Sequence, residues 1–321
     1  MKLNRFVWIA LAVFLALAIG GPAFAQGGKI IIGYDAFSAG VSFSKRISDN
    51  IKADCDRMGY TLIQAESKGD ASAAMKNVDA FLLQGANYII ECSWSVAAVE
   101  AVAKRCKAAG VPCISIDIPV ADAYFFGVNN TEAGMTTGNA AVAAIKKNWG
   151  GKLDFLVLGY QANAGEEVKK RCSGIADAIK AAGIPLADSQ IIWMDTGGSE
   201  GTLKCKSMGT DFLTAHPNSK RILFGCVNDQ AGQGFWSAAE TSGRTNDVLV
   251  VSQGADEPAL ANLRKPANNW LGSTAYLPEQ YGDYILKMIA DLAAGKPVPQ
   301  QVFMKTQFLD KSNVEKFYPN N

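Results

Sequence analysis

The stretch Val99-Glu100-Ala101-Val102-Ala103-Lys104-Arg105-Cys106-Lys107-Ala108-Ala109-Gly110-Val111-Pro112-Cys113-Ile114-Ser115-Ile116-Asp117 decides the fold. Val99, Val102, Ala103 and Cys106 recur at the helical period and form one apolar stripe. Gly110 supplies the left-handed stop and Pro112 blocks continuation. A short apolar run from Cys113 follows at once and ends on an acid, Asp117. A helix that passes through a tight stop into a buried strand is the αβ half of a βαβ unit.

The same rhythm extends outward on both sides. Strands are expected at 29–34, 60–63, 88–91, 113–117 and 125–128. Ile47, Ile51, Cys55 and Met58 stripe the first helix, and Gly59 ends it. The pattern restarts with strands at 153–158, 190–193, 221–224, 248–251 and 271–275. Lys180-Ala181-Ala182-Gly183-Ile184-Pro185 repeats the helix-stop idiom, but after a different helix, so it does not establish a duplication. Two sets of alternating strands and helices imply two doubly wound α/β lobes with parallel sheets. Ligands in such sheets sit outside the carboxyl ends of the strands. That rule selects Asp35, Phe37, Cys92, Trp94, Asp117, Tyr160, Asp195, Asn228, Gln253 and Tyr276. Carboxylates, amides and aromatic faces without clustered positive charge suit a neutral hydroxylated ligand.

Composition removes several classes of function. Lys2 and Arg5, the apolar run Phe6 to Ile19 and the Ala23-Phe24-Ala25 site predict a secretory signal over residues 1–25. The run is short for a membrane span, and no later segment is long and apolar enough for one. The whole chain has 31 basic and 30 acidic residues; without Lys2 and Arg5 the balance is 29 to 30. A net charge near zero argues against nucleic acid or an anionic membrane as partner. Removing 25 of 321 residues leaves about 296, which suits two domains of ordinary size. A single histidine, His216 before Pro217, thinly supports zinc or Ser-His-Asp chemistry. No catalytic group, metal or cofactor is expected. Gly197-Gly198-Ser199-Glu200-Gly201 lacks the Lys-Ser/Thr ending of a phosphate loop and reads as a βα turn.

Seven cysteines in an oxidising compartment permit disulfides. With right-handed winding, Cys205 and Cys226 lie on compatible faces at the cleft end of the second lobe. Cys106 and Cys113 meet at the far end of the first. These two bridges are expected, with Cys55 and Cys172 as buried free thiols and Cys92 as a thiol lining the cleft.

The order of Lys104–Pro112 before Ile116-Asp117, Gly127-Val128-Asn129-Asn130-Thr131-Glu132-Ala133-Gly134, Arg171-Cys172-Ser173-Gly174-Ile175, Cys226-Val227-Asn228-Asp229 and Tyr276-Leu277-Pro278-Glu279-Gln280-Tyr281-Gly282 resembles the periplasmic monosaccharide-binding proteins of ABC importers. The resemblance covers nearly all of the mature chain and implies a type I periplasmic binding fold, with two Rossmann-like lobes joined by a three-strand hinge. Crossovers would fall near Asn129-Asn130, Tyr276-Leu277 and Lys305-Thr306. The lobes would be 27–129 plus 277–305, and 130–276 plus 306–321.

The resemblance also implies contacts. Asp117 would accept sugar hydroxyls, Arg171 would donate to the ring oxygen and hydroxyls, Asn228 would read another hydroxyl, and Phe43 would pack on a sugar face. Phe37, Cys92, Trp94, Gln253, Tyr276 and Glu167, one helical turn before Arg171, complete the candidate ligand set. Helix capping or hinge hydrogen bonding competes for Asp117 and Asn228, and a surface ion pair for Arg171. Three positions depart from the family pattern: Ile118 for a second arginine, Cys92 for an asparagine, and Gly254 for an aspartate. Gln253 or Asp256 is a candidate to compensate for the last. The departures suggest a smaller, deoxygenated or otherwise unusual ligand.

The implied function is periplasmic capture of a sugar or polyol by a monomer, and delivery to an ABC transporter permease. A ligand-presenting subunit for a chemoreceptor or sensor kinase has the same sequence features. A periplasmic enzyme is the weaker alternative. A transcription regulator of the same core would need a helix-turn-helix where the signal stands.

Overall fold

Short apolar runs such as Val248-Leu249-Val250-Val251 bury both faces of a strand, as a parallel sheet between helices requires. The computed structural model describes residues 28–197, 201–266 and 268–320. The first half comprises β1 (Ile31–Ala36), α1 (Ser42–Met58), β2 (Thr61–Glu66), α2 (Ala71–Leu83), β3 (Tyr88–Glu91), α3 (Val96–Ala109), β4 (Cys113–Ile116) and β5 (Tyr124–Val128). Next come α4 (Asn130–Trp149), β6 (Phe155–Tyr160), α5 (Gly165–Ala181), β7 (Ile191–Asp195), α6 (Thr202–Ala215), β8 (Ile222–Cys226) and α7 (Asp229–Thr241). The chain ends with β9 (Val248–Gly254), α8 (Glu257–Leu263), β10 (Trp270–Ala275), α9 (Tyr281–Ala293), β11 (Gln301–Met304), β12 (Gln307–Leu309) and α10 (Val314–Phe317).

The strands form two six-stranded sheets, ordered β11-β5-β4-β3-β1-β2 and β12-β10-β9-β8-β6-β7. The second order repeats the first position for position. Only β12 pairs antiparallel, against β10. Each sheet is cored on both faces. Ile47 and Ile51 of α1 pack with Ile285 and Ile289 of α9 on one side of the first sheet. Val78 of α2 and Val102 of α3 fill the other. In the second sheet α4 and α5 cover one face, through Ile145, Val168 and Ile175. Phe212 of α6 and Phe235 of α7 cover the opposite face. The chain leaves the first sheet after β5, returns after β10 to pack α9 on α1, and crosses once more between β11 and β12.

The 2-1-3-4-5 order places a topological switch point beside β1 and β3 in one sheet and β6 and β8 in the other. Helices α4 and α5 meet there at close range. A methyl group built on Gly134 would lie 2.5 Å from the Arg171 carbonyl oxygen, and one on Gly174 would lie 3.0 Å from Gly134 Cα. Glycine at both positions lets the two backbones approach, and that approach sets where Arg171 stands.

The expected disulfides need correction, because all seven cysteines are free and buried. Cys205 Sγ donates to the Ala231 carbonyl and Cys226 Sγ to that of Asn228, each at 3.1 Å. Both thiols are thus spent on backbone oxygens of the α7 start. Cys106 and Cys113 do face each other, but as a hydrogen-bonded thiol pair. Cys55 and Cys172 are buried free thiols, as anticipated. The proposed signal segment and positions 198–200 of the Gly197–Gly201 turn lie outside the described residues. Among the described residues no helix is long and apolar enough to cross a membrane.

Candidate ligand-binding site

Between the two switch points lies a cavity with about 560 Å³ of empty space, counted to its open mouth. Small molecules bind in concave sites of this kind, apolar for the most part with a few convergent polar groups. Seven of the anticipated residues line it: Phe43, Trp94, Asp117, Arg171, Asn228, Gln253 and Tyr276. They come from both sheets.

Asp117 follows β4, with its backbone at φ 65°, and Trp94 follows β3 at φ 54°. Left-handed backbone costs a non-glycine residue energy and persists only where its surroundings hold it. Here it turns both side chains into the cavity. Asp117 is 4% exposed. It accepts from Tyr281 Oη at 3.3 Å and from the Trp94 indole, and its Oδ1 lies 3.7 Å from Arg171 Nη2 across the cleft. Burial pushes the Asp117 carboxyl above 3.8, against the opposing pull of the Arg171 charge.

Arg171 is fixed by Asn130 Oδ1, which accepts from Nε at 2.7 Å, and by the Tyr276 ring 4.8 Å below the guanidinium. Its Nη2 is buried with no hydrogen-bond partner. A stranded charged donor facing a cavity is costly unless something arrives to accept from it. Asn228 does cap a helix: its Oδ1 accepts from Ala231 N at 3.0 Å. Capping occupies only the oxygen, and the amide N–H₂ remains available.

The polar floor of the cavity is different. Asp229 is fully buried and accepts from Ser252 Oγ, from Ser273 Oγ at 2.7 Å and from Asp256 N at 2.6 Å. Burial raises its carboxyl from 3.8 to about 7. Asp256 is held by Ser42 Oγ, by Arg46 at 3.2 Å and by Gln230 at 2.6 Å, so it ties α1 of one lobe to the β9 end of the other. Gln253 donates to the Arg171 and Cys226 carbonyls and accepts from Tyr276 Oη at 2.7 Å. Gln253 is thereby engaged at both ends of its amide, and Asp256 at both oxygens. Gly254 itself has φ 120°, and a side chain there would approach Asp229 Oδ2 at 3.1 Å.

Three anticipated residues stand elsewhere. Cys92 is fully buried in the first core, hydrogen-bonded to Tyr34, and does not line the cavity. Phe37 backs the site, stacked on Trp94 with ring centroids 4.9 Å apart. Glu167 is exposed and pairs with Lys170 at 2.6 Å, outside the cavity on a shallow depression it shares with Thr131 and Phe303. Of the other strand-end residues, Asp195 pairs with Lys204 and Tyr160 packs edge-on against Trp193.

The residues missed by sequence are Ala164, Val168 and Val227 of the apolar wall and Gln161 of the loop after β6. Ile118 and Trp94 from one lobe join Ala164, Val168 and Val227 from the other in a single cluster facing the cavity. Gln161 reaches across to the Trp94 carbonyl at 3.4 Å. Val168 precedes Arg171 by one helical turn and Val227 precedes Asn228, so spacing from the recognised residues was an available signal.

The profile of the periplasmic binding protein domain matches residues 30–297. The chain belongs to the periplasmic binding protein family. The ribose import binding protein of Escherichia coli is 23% identical over 287 residues, covering 88% of this chain and 90% of that one. The D-apiose import binding protein of Paraburkholderia graminis is 28% identical over 250 residues, covering 76% and 75%. Both are named as import binding proteins and not as enzymes. An Agrobacterium vitis ABC transporter solute-binding protein with bound allitol shares the fold at a TM-score of 0.79 and 16% identity, covering 90% of this chain and 98% of that one. A Mycobacterium smegmatis solute-binding protein with bound glycerol does so at 0.75 and 23% identity, with 92% and 98% covered.

Proposed function

We propose that this chain is a periplasmic solute-binding protein and not an enzyme. It captures a small hydroxylated ligand, a sugar or polyol, between its lobes and hands it to an ABC transporter permease. The lobes are taken as residues 27–129 plus 277–305 and 130–276 plus 306–321. The carrying observation is the Asp117–Arg171 pair: two buried charges, one from each lobe, with unspent hydrogen-bonding capacity facing one cavity. Ligand hydroxyls that accept from Arg171 and donate to Asp117 satisfy both at once, and only with the lobes together. The relatives named for ribose and apiose import, and the neighbours holding allitol and glycerol, support the same ligand class. Among the described residues no group of three or more His, Cys, Asp or Glu side chains could hold a metal ion.

Native mass spectrometry of the purified protein, followed by a thermal-shift panel of monosaccharides and polyols, tests this. A ligand at one hundred times its Kd stabilises the protein by about 2.7 kcal/mol, an easily read shift. A protein that retains nothing and responds to no member of the panel contradicts the reading.

A further inference from the structure

We infer that the ligand is a small, neutral, partly deoxygenated polyhydroxy compound, with its hydroxyls on the polar part of the lining and a methyl or methylene group on the aliphatic part. This rests on the solute-binding reading and narrows it.

The hydrogen-bond inventory of the cavity leads there. Asp229 already receives three donors. The Asp256 carboxylate is taken by Ser42, Arg46 and Gln230. Gln253 has spent its amide on two carbonyls and its oxygen on Tyr276, whose hydroxyl is thereby engaged as well. Among the described residues this leaves a polar edge made by Arg171 Nη2, Asp117 and the Asn228 N–H₂, with the side-chain oxygens of Gln161 and Gln230 beside it. That edge joins one fixed positive to one fixed negative charge, so a ligand bearing net charge would leave one of them opposed.

The aliphatic part of the lining has nothing to offer a hydroxyl. Ile118, Ala164, Val168 and Val227 are each no more than 4% exposed and pack as one apolar cluster. A ligand hydroxylated at every carbon would press at least one hydroxyl on this wall without a partner. A buried hydroxyl without a hydrogen bond is disfavoured, whereas a methyl in the same place gains apolar burial. The two effects act in the same direction.

Calorimetry with matched pairs tests the inference: L-galactose against L-fucose, L-mannose against L-rhamnose, and D-ribose against 2-deoxy-D-ribose. In at least one pair the deoxy member is expected to bind about tenfold tighter or more. Val168→Thr and Val227→Thr keep side-chain shape while adding a hydroxyl to the wall, and should shift that preference toward the parent sugar by about tenfold. Circular dichroism confirms that each variant folds. Accurate-mass measurement of any compound retained on purification is a second readout, with fewer oxygens than carbons expected. Parents that bind as tightly as their deoxy partners in every pair, or a retained compound with one oxygen per carbon, overturn the inference but leave solute binding standing. No binding by any of the six together with no retained compound overturns the solute-binding reading and this inference with it.

Discussion

The Asp229–Asp256 corner of the cavity and the Asp117–Arg171 corner, both buried, carry similar chemistry but differ in what their hydrogen bonds are used for. At the first, three serine hydroxyls, one backbone amide, a glutamine and an arginine from the opposite lobe engage both oxygens of each carboxylate. At the second, an arginine nitrogen has no partner and an aspartate is held by an indole, a phenol and a distant guanidinium. A saturated polar cluster fixes structure, while an unsaturated one waits for a ligand. On the proposed function, the contrast separates scaffold from site within a single cavity.

The contrast can be broken most forcefully at the saturated corner. Asp229→Ala strands two serine hydroxyls and the Asp256 amide, each unpaired group costing about 1–3 kcal/mol. Urea unfolding at pH 5 should show a loss of about 3 kcal/mol or more. A loss under 1 kcal/mol would place Asp229 with the ligand contacts instead.

At the unsaturated corner the expectation reverses. Arg171→Ala or Asp117→Ala should weaken ligand binding about tenfold or more, since a hydrogen bond to a charged group contributes about 1.5–3 kcal/mol. Calorimetry that finds unchanged affinity in both variants means the ligand sits elsewhere.

A smaller effect sharpens the comparison through pH. The Asp229 carboxyl is raised from 3.8 to about 7 in the folded state, with burial the main cause. Between those values the folded protein holds a proton that the unfolded chain has released. Stability therefore falls as pH rises from about 4 to about 7, by up to about 1.4 kcal/mol per pH unit from this group, and levels off above. Asp229→Asn removes that slope even if it lowers stability throughout. Parallel pH profiles for the two proteins would mean Asp229 stays ionised in the fold.

Much of this was legible in the sequence. The helix stops at Gly59 and Gly110 and the apolar runs located the βαβ units and so both sheets. The strand-end rule and the resemblance together named seven residues of the cavity lining. Boundaries ran short where function begins: β9 continues through Ser252, Gln253 and Gly254, because the backbone ladder persists after the apolar run has ended. The edge strands β11 and β12 were missed, since four and three residues are too few to show a strand period. Cys92 was placed in the cleft by counting along β3, but the left-handed backbone at Trp94 breaks that alternation. Val168 and Val227 were passed over because an apolar side chain on a cavity wall has the same sequence signature as one in a core. The thiols were paired by topology, which brings helix and strand ends together but does not set where each sulfur points.

Small-angle scattering on the purified protein with and without its ligand tests the central claim most directly. If the proposed contacts are divided between Asp117 in one lobe and Arg171 and Asn228 in the other, they stabilise the closed arrangement, and the radius of gyration should fall at saturation. Arg171→Ala, given the same ligand concentration, should show little of that change. A wild-type profile that stays the same while calorimetry reports full occupancy would contradict a binding protein that closes on its ligand.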